Sequence, residues 1–187
     1  MPSTTVTVEG LSVPVDVSGP DKGSVVVVLG AGHQPAAAYD AVCQRLHTAS
    51  LRTVVVPPDP RLTAKSVVSI LDALDVKWAL LVGDRIGGEL AWELAATRLD
   101  RFIGLVVIDR GHPRVADAAG VIRDEHCPPV EMNTTALVST PAARAVAKAS
   151  QRYVYGDYRM VDLLGRRNAA ESTAQLAAEI VMRTSTW

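Results

Sequence analysis

Residues 83–87 read Gly-Asp-Arg-Ile-Gly and have the glycine spacing of a catalytic turn with an arginine at its centre. In the motif G-x-S-x-G, a tight turn between a strand and a helix presents a serine nucleophile above a sheet. Both glycines, Gly83 and Gly87, are in place here, but the residue between them is Arg85. A guanidinium stays protonated and has no lone pair to offer, so Arg85 cannot attack an acyl carbon. The turn therefore predicts an enzyme scaffold that lacks its usual nucleophile.

Arg85 also stands where an anion would bind. It begins a predicted helix, and the macrodipole makes a cation unfavourable and an anion favourable at that end of a helix. The free backbone N–H groups of Ile86 and Gly87 would face the same anion. The neighbouring glycine turn, Gly30-Ala31-Gly32, offers further backbone donors. We therefore predict a small anionic ligand, a phosphate or a carboxylate, at this turn.

Other polar residues follow the predicted strands, which is where ligands bind in open α/β sheets. The predicted ligand contacts at these positions are His33, Asp84, Asp109, Arg110 and His112. Two alternatives stay open. Asp84 or Asp109 could pair with Arg85 and plug the site, which would suit an interaction or scaffold protein. The chain could also be an enzyme of atypical chemistry that uses Asp84, Asp109, His33 or His112.

The composition predicts one globular domain over residues 1–187, with 48% hydrophobic and 21% charged residues. A net charge of −1 gives no reason to expect nucleic acid or an anionic membrane as a partner. No apolar run approaches the ~18 residues of a membrane span, and the N-terminus does not resemble a signal peptide. Cys43 and Cys127 form no CxxC pair, which favours a reducing, cytoplasmic compartment. A homo-oligomer is compatible with the sequence.

Neither a cofactor nor a metal ion is predicted. Gly30 and Gly32 have the spacing of a dinucleotide-binding fingerprint, but Pro35 stands where the third glycine belongs. Residues 124–127 include metal-ligand types, yet they are consecutive, and metal sites need spaced ligands.

Strands alternate with helices along the chain, which predicts a mostly parallel sheet covered on both faces, a three-layer α/β/α sandwich. Alternation of apolar and polar residues predicts an antiparallel entry hairpin over residues 4–8 and 13–17. Apolar runs predict further strands at residues 24–29, 52–56, 78–82, 102–108, 135–139 and 159–164. Helical periodicity predicts helices that begin at Pro35 and Pro141 or span about 63–74, 86–99 and 169–182. Residues 111–133 are polar and irregular, and they are predicted to form a loop.

This order resembles the α/β-hydrolase fold superfamily. The resemblance rests on the entry hairpin, the Val-rich strand with its turn at 30–32, the elbow and Gly88, the strand that ends at Asp109, and the last strand and turn at Leu164-Gly165. It implies a minimal, lidless fold, because only the 111–133 loop stands where a lid usually lies.

The catalytic residues of hydrolase members do not match. The serine would sit at Arg85. The acid usually follows the strand matched by 135–139, where residues 140–142 offer no carboxylate. The histidine usually follows the last strand, where this chain has Gly165-Arg166-Arg167-Asn168. The resemblance thus implies a catalytically degenerate member that binds a small anion, such as a nucleotide or another phosphate ester, in the vacated cleft.

A shift of one residue would make Asp84 the nucleophile, as in the dehalogenase branch of the superfamily. That shift would place Val82 and Ile86 where the tight turn needs glycine. The sequence therefore favours Arg85 as the residue that the elbow presents.

Overall fold

The computed structural model describes residues 3–32, 34–163 and 169–185. The strands are β1 (Ser3–Val8), β2 (Leu11–Ser18), β3 (Ser24–Leu29), β4 (Leu51–Val56), β5 (Ala79–Asp84), β6 (Phe102–Ile108), β7 (Thr134–Val138) and β8 (Tyr158–Asp162). The α-helices are α1 (Asp40–Thr48), α2 (Ala64–Ala73), α3 (Ile86–Thr97), α4 (Pro141–Ser150) and α5 (Ala169–Thr184). Short 3₁₀ turns, Ala36–Tyr39 and Gln151–Tyr153, precede α1 and follow α4.

The strands form one 8-stranded sheet in the order β1-β2-β4-β3-β5-β6-β7-β8. β1 and β2 form the predicted antiparallel hairpin, and β2 is also antiparallel to β4. The pairs from β4 through β3, β5, β6 and β7 to β8 are parallel. Helices α2, α3 and α4 contribute to the core on one face, and α1 and α5 contribute to the core on the other. The predicted three-layer sandwich with a mostly parallel sheet is confirmed.

The central strands are buried on both faces, which explains their unbroken apolar sequences. Because side chains alternate along a strand, Val27 and Leu81 pack with one helical layer. Their neighbours Val26 and Leu80 pack with the opposite layer. All of these side chains are fully buried. Because the strands from β4 to β8 run parallel, their carboxyl ends lie at one edge of the sheet. The polar candidate residues follow the strands at this edge.

Small differences from the predicted elements have local causes. β5 extends two residues beyond its predicted end, because Gly83 and Asp84 continue to pair with Val107 and Ile108 of β6. The helix expected from Pro35 starts as a 3₁₀ turn and becomes α-helical only at Asp40. The 111–133 segment is irregular as predicted, apart from a bridge between Val130 and Val154. Within the described ranges, no helix has both the length and the apolar composition that a membrane span requires.

Candidate functional site

The elbow presents Arg85, as its glycine spacing predicts. Arg85 lies between the last residue of β5 and the first residue of α3, with φ 50° and ψ −108°. Its N–H donates to the Ile108 carbonyl at 3.0 Å, and its own carbonyl accepts the Gly88 N–H at 2.8 Å. A positive φ is rare for residues other than glycine and stores strain, which commonly marks a functional position. Asp84, in contrast, is a regular strand residue, so the one-residue shift is not supported by the backbone.

The elbow glycines are required by close packing between β5, α3 and β3. A Cβ on Gly83 would lie 2.6 Å from the Cα of Gly88 and 2.6 Å from the Cβ of Ala91. A Cβ on Gly87 would overlap the backbone carbonyl of Leu29. Neither backbone nor a short side chain can move aside cheaply, so these positions exclude larger residues.

The guanidinium of Arg85 makes few contacts with other described residues. Its side chain is 50% exposed, and Nη1 lies 3.5 Å from Oδ1 of Asp84, which is an ion pair without hydrogen-bond geometry. It donates no hydrogen bond to any residue that the structure describes. Arg85 borders two cavities of about 330 Å³ and 350 Å³. Most of its donors are therefore free for water or for an anion.

The carboxylate of Asp84 is positioned by a hydrogen bond from Tyr39. The Tyr39 hydroxyl donates to Oδ2 of Asp84 at 2.7 Å and accepts the N–H of Ala31 at 2.8 Å. Burial raises the pKa of Tyr39, and the neighbouring carboxylate of Asp84 raises it further. Oδ1 of Asp84 is buried and accepts no hydrogen bond from the described residues. Arg85 is therefore the cation that partly compensates this buried oxygen.

The glycine turn at residues 30–32 offers fewer donors than expected. The N–H of Gly30 donates to the Val56 carbonyl at 3.1 Å. The N–H of Ala31 is taken by Tyr39. The N–H groups of Gly30 and Ala31 are therefore occupied within the protein, since the 3₁₀ turn that carries Tyr39 folds back over them, and a ligand contact at these residues stays a prediction. A Cβ on Gly32 would lie 3.5 Å from Cγ2 of Ile86, so this glycine is near the elbow.

Asp109 and Arg110 lie at the end of β6 and are engaged with protein groups. Asp109 accepts the backbone N–H of Ser139 at 2.8 Å and also accepts a very short hydrogen bond from the Ser139 hydroxyl. Arg110 donates to Glu89 at 3.3 Å and to the Asp109 carbonyl at 2.9 Å. Both residues border the 350 Å³ cavity beside Arg85. Among the described carboxylates, the ion-pair partner of Arg85 is Asp84 rather than Asp109.

His112 lies in the core rather than in the cleft. Its ring is 0% exposed, stacks on Tyr153 at 4.8 Å and meets Trp92 edge-on at 5.6 Å. Nδ1 accepts the N–H of Arg114 at 3.1 Å, so Nε2 carries the proton and donates to the Pro128 carbonyl at 2.8 Å. Burial lowers the pKa of His112 and keeps the ring neutral. Both ring nitrogens of His112 are thus occupied within the protein, and a ligand contact at His112 stays a prediction from the sequence.

Several sequence candidates lie outside the described residues. His33, the predicted contact in the loop after β3, is one of them. Arg166, Arg167 and Asn168, which follow β8 in the sequence, also lie outside the described residues. Their roles remain predictions from the sequence.

A large cleft is lined in part by the predicted contacts Gly30, Gly32 and Ile86, but most of its other lining residues were not predicted from the sequence. It has a volume of about 870 Å³ and lies between the end of β3 with its glycine turn, the proline-rich segment after β4, the first turns of α3 and the 111–127 loop. Along α3 it is lined by Ile86, Glu89, Leu90 and Glu93. Their i, i+3, i+4, i+7 spacing places them on one helical face, which was the available sequence signal. Among the described residues, no group of three or more His, Cys, Asp or Glu side chains is arranged to hold a metal ion.

No protein-family model matches this sequence, and no curated protein matches it. Solved structures do match it along almost its whole length. The epoxide hydrolase VrEH1 from Vigna radiata has a TM-score of 0.75 at 13% identity, over 100% of this chain and 98% of that chain. Est1E from Butyrivibrio proteoclasticus has a TM-score of 0.74 at 11% identity, over 98% of this chain and 99% of that chain. A haloalkane dehalogenase variant from Bradyrhizobium elkanii has a TM-score of 0.73 at 12% identity, over 98% and 97%.

These neighbours are enzymes of the α/β-hydrolase fold, and the eight-stranded sheet with its elbow after β5 has the same architecture. The chain therefore has the α/β-hydrolase fold. At these identities the similarity establishes the fold alone, and the chemistry has to be argued from the residues at the elbow.

Proposed function

We propose that this chain is a non-catalytic α/β-hydrolase-like protein that binds a small anionic ligand at its elbow. A carboxylate or a phosphate ester, including a nucleotide, has the required charge. The observation that carries the proposal is the guanidinium of Arg85, which is half exposed and donates no hydrogen bond to the described residues. The strained backbone conformation at this position gives further support, because such strain is usually kept for a function.

Backbone groups at the start of α3 favour the same ligand. The N–H groups of Ile86 and Gly87 stand in the first turn of α3, where no earlier helical carbonyl can accept them. Together with the helix dipole they favour a negative charge beside Arg85. Asp84 opposes this charge. Its pairing with Arg85 is loose, however, and a bidentate anion uses donors that Asp84 leaves free.

Calorimetric titration of the protein with phenyl phosphate and with octanoate tests the proposal. Arg85→Ala should weaken binding by roughly 1.5–3 kcal/mol, the range for a hydrogen bond to a charged group. Arg45→Ala is the matched control, because Arg45 is exposed on α1 and its loss changes the net charge equally. Equal affinities in all three proteins would refute an anion site at Arg85.

A second candidate function is hydrolysis by residues other than a serine triad. It is favoured by the buried Oδ1 of Asp84, which accepts no hydrogen bond and becomes available as a base or nucleophile when Arg85 moves aside. Two of the structural neighbours are named as an epoxide hydrolase and a haloalkane dehalogenase. Turnover of p-nitrophenyl esters, p-nitrophenyl phosphate, an epoxide and a haloalkane decides between the two candidates.

We expect background rates with all four substrates and no labelling of the protein by a fluorophosphonate probe. Turnover that disappears in Asp84→Asn would establish the hydrolase instead. Stoichiometric labelling of one serine would contradict both candidates, since neither uses a serine nucleophile.

A further inference from the structure

Arg85 does not line the 870 Å³ cleft beside α3, although its neighbours Ile86 and Gly87 do. The volume of the cleft falls within the range of small-molecule sites. Apolar side chains of Leu62 and Leu90 and the prolines that follow β4 line it. The cleft wall formed by the 111–127 loop is fixed, because Arg123 donates to the Gly111 carbonyl at 2.6 Å and Arg114 donates to the Cys127 carbonyl at 2.7 Å.

The carboxylates of the cleft fall into two groups. In the first group, each carboxylate has a cationic partner. Asp59 accepts a bidentate pair of hydrogen bonds from Arg61, and Glu89 forms ion pairs with Arg110 and Arg123. Glu93 and Asp124 have no ion-pair partner among the described residues.

Glu93 and Asp124 both line the cleft, and the carbonyl of Asp124 accepts the N–H of Cys127 at 3.3 Å. Both are close enough to the Cys127 thiol to add to the effect of its burial, and together these raise the pKa of Cys127 to about 11. Cys127 also lines the cleft, and its raised pKa keeps it a neutral thiol. Arg114 and Arg123 act on the pKa of Cys127 in the opposite direction, but neither forms an ion pair with Glu93 or Asp124. An apolar cleft with two carboxylates that have no ion-pair partner among the described residues complements an organic cation with an apolar body.

We propose that this cleft binds an aliphatic primary amine, with the ammonium group held by Glu93 and Asp124 and the hydrocarbon lying on Leu62 and Leu90. No aromatic side chain is among the described residues that line the cleft. A quaternary ammonium, which depends on aromatic faces, is therefore a poor fit, whereas a primary ammonium donates hydrogen bonds to carboxylates. This site goes beyond the anion site at Arg85 and does not depend on it.

Calorimetry with four probes of one chain length tests the inference: octylamine, octyltrimethylammonium, octan-1-ol and octanoate. Octylamine should bind more tightly than octyltrimethylammonium and octan-1-ol, and any octanoate binding should depend on Arg85 rather than on Glu93 and Asp124. The double variant Glu93→Gln/Asp124→Asn should weaken octylamine binding about three- to tenfold, as expected for two solvent-accessible ion pairs, and should leave octan-1-ol unaffected. The loss should shrink as the salt concentration rises.

The matched control is Glu125→Gln/Glu131→Gln, which removes the same charge from exposed positions that do not line the cleft. It should leave octylamine binding unchanged, as should Arg85→Ala. Equal affinity for octylamine and octan-1-ol, no binding of any probe, or a loss of octylamine binding in either control overturns the inference. Failure of the elbow proposal is recognised separately, because it concerns octanoate and phenyl phosphate and their dependence on Arg85.

Discussion

Arg85 and Asp109 directly follow neighbouring strands and both have a positive φ, 50° and 55°, but their side chains differ in what they contact. Asp109 directs both carboxylate oxygens to Ser139, which donates its N–H and its hydroxyl. Arg85 has one loose ion pair at 3.5 Å and is half exposed. The strain at Asp109 is offset by its hydrogen bonds to Ser139, which lies 30 residues further along the chain, whereas the side chain of Arg85 makes no hydrogen bond to the described residues.

This difference separates a structural residue from a candidate functional one. Aspartate tolerates a positive φ when its short side chain bonds nearby backbone groups. Arginine has no such local bond, and the conformation at Arg85 is imposed by the glycines that surround it. Arg85 has a strained backbone, and its charged side chain borders two cavities. This combination is typical of residues at ligand-binding sites.

The largest expected effect is on stability at Asp109. Asp109→Ala removes the acceptor of two hydrogen bonds and should lower the free energy of unfolding by about 2 kcal/mol, since hydrogen bonds to a charged group contribute more than neutral ones. Arg85→Ala should change it by less than about 1 kcal/mol, because its ion pair is half exposed. Urea denaturation of both variants measures the two quantities.

In the scaffold alternative, Arg85 fills the cleft, and Arg85→Ala is expected to destabilise the protein strongly. If Arg85 fills the cleft in this way, its removal leaves the buried carboxylate of Asp84 without a cation and lowers the free energy of unfolding by several kcal/mol. A large loss of stability in Arg85→Ala, with unchanged anion affinity, would support the scaffold alternative and contradict the ligand site.

A smaller effect is expected from glycine at the same two positions. Arg85→Gly should be about 1 kcal/mol more stable than Arg85→Ala, because glycine adopts a positive φ without strain. Asp109→Gly should remain less stable than the unmodified protein, since relief of strain does not replace the bonds to Ser139. Thermal and urea unfolding of the two glycine variants, with the alanine variants as controls, provides the measurement. An Arg85→Gly variant less stable than Arg85→Ala would show that the elbow is not strained.

The elbow could be predicted from the sequence because its requirements are local. A strand, a turn and a helix lie within a dozen residues, and the sterics of Gly83 and Gly87 specify the turn. The mostly parallel sheet with helices on both faces followed from alternating strands and helices, since each apolar run had to be buried on both faces.

The contacts of individual side chains could not be predicted in this way. His112 is enclosed by Trp92, Tyr153 and the Pro128 carbonyl, which come from distant parts of the chain. The Tyr39 hydroxyl accepts a hydrogen bond from the N–H of Ala31 only because the 3₁₀ turn Ala36–Tyr39 folds back over the glycine turn at residues 30–32. The large cleft combines four separate segments of the chain. Long-range packing of this kind leaves little trace in sequence periodicity.

The smallest expected effect is on catalysis. Arg85→Ser restores the hydroxyl of the motif, and the variant should fold but hydrolyse p-nitrophenyl acetate no faster than Arg85→Ala. A serine hydroxyl is a weak nucleophile without a base beside it. Of the histidines that the structure describes, His112 is enclosed in the core, His47 bonds Ser18 and Thr53, and His126 lies exposed beside Glu125. Turnover well above the alanine control, accompanied by fluorophosphonate labelling, would reveal a base within reach of the elbow and would make the loss of the serine the only missing part of a hydrolase.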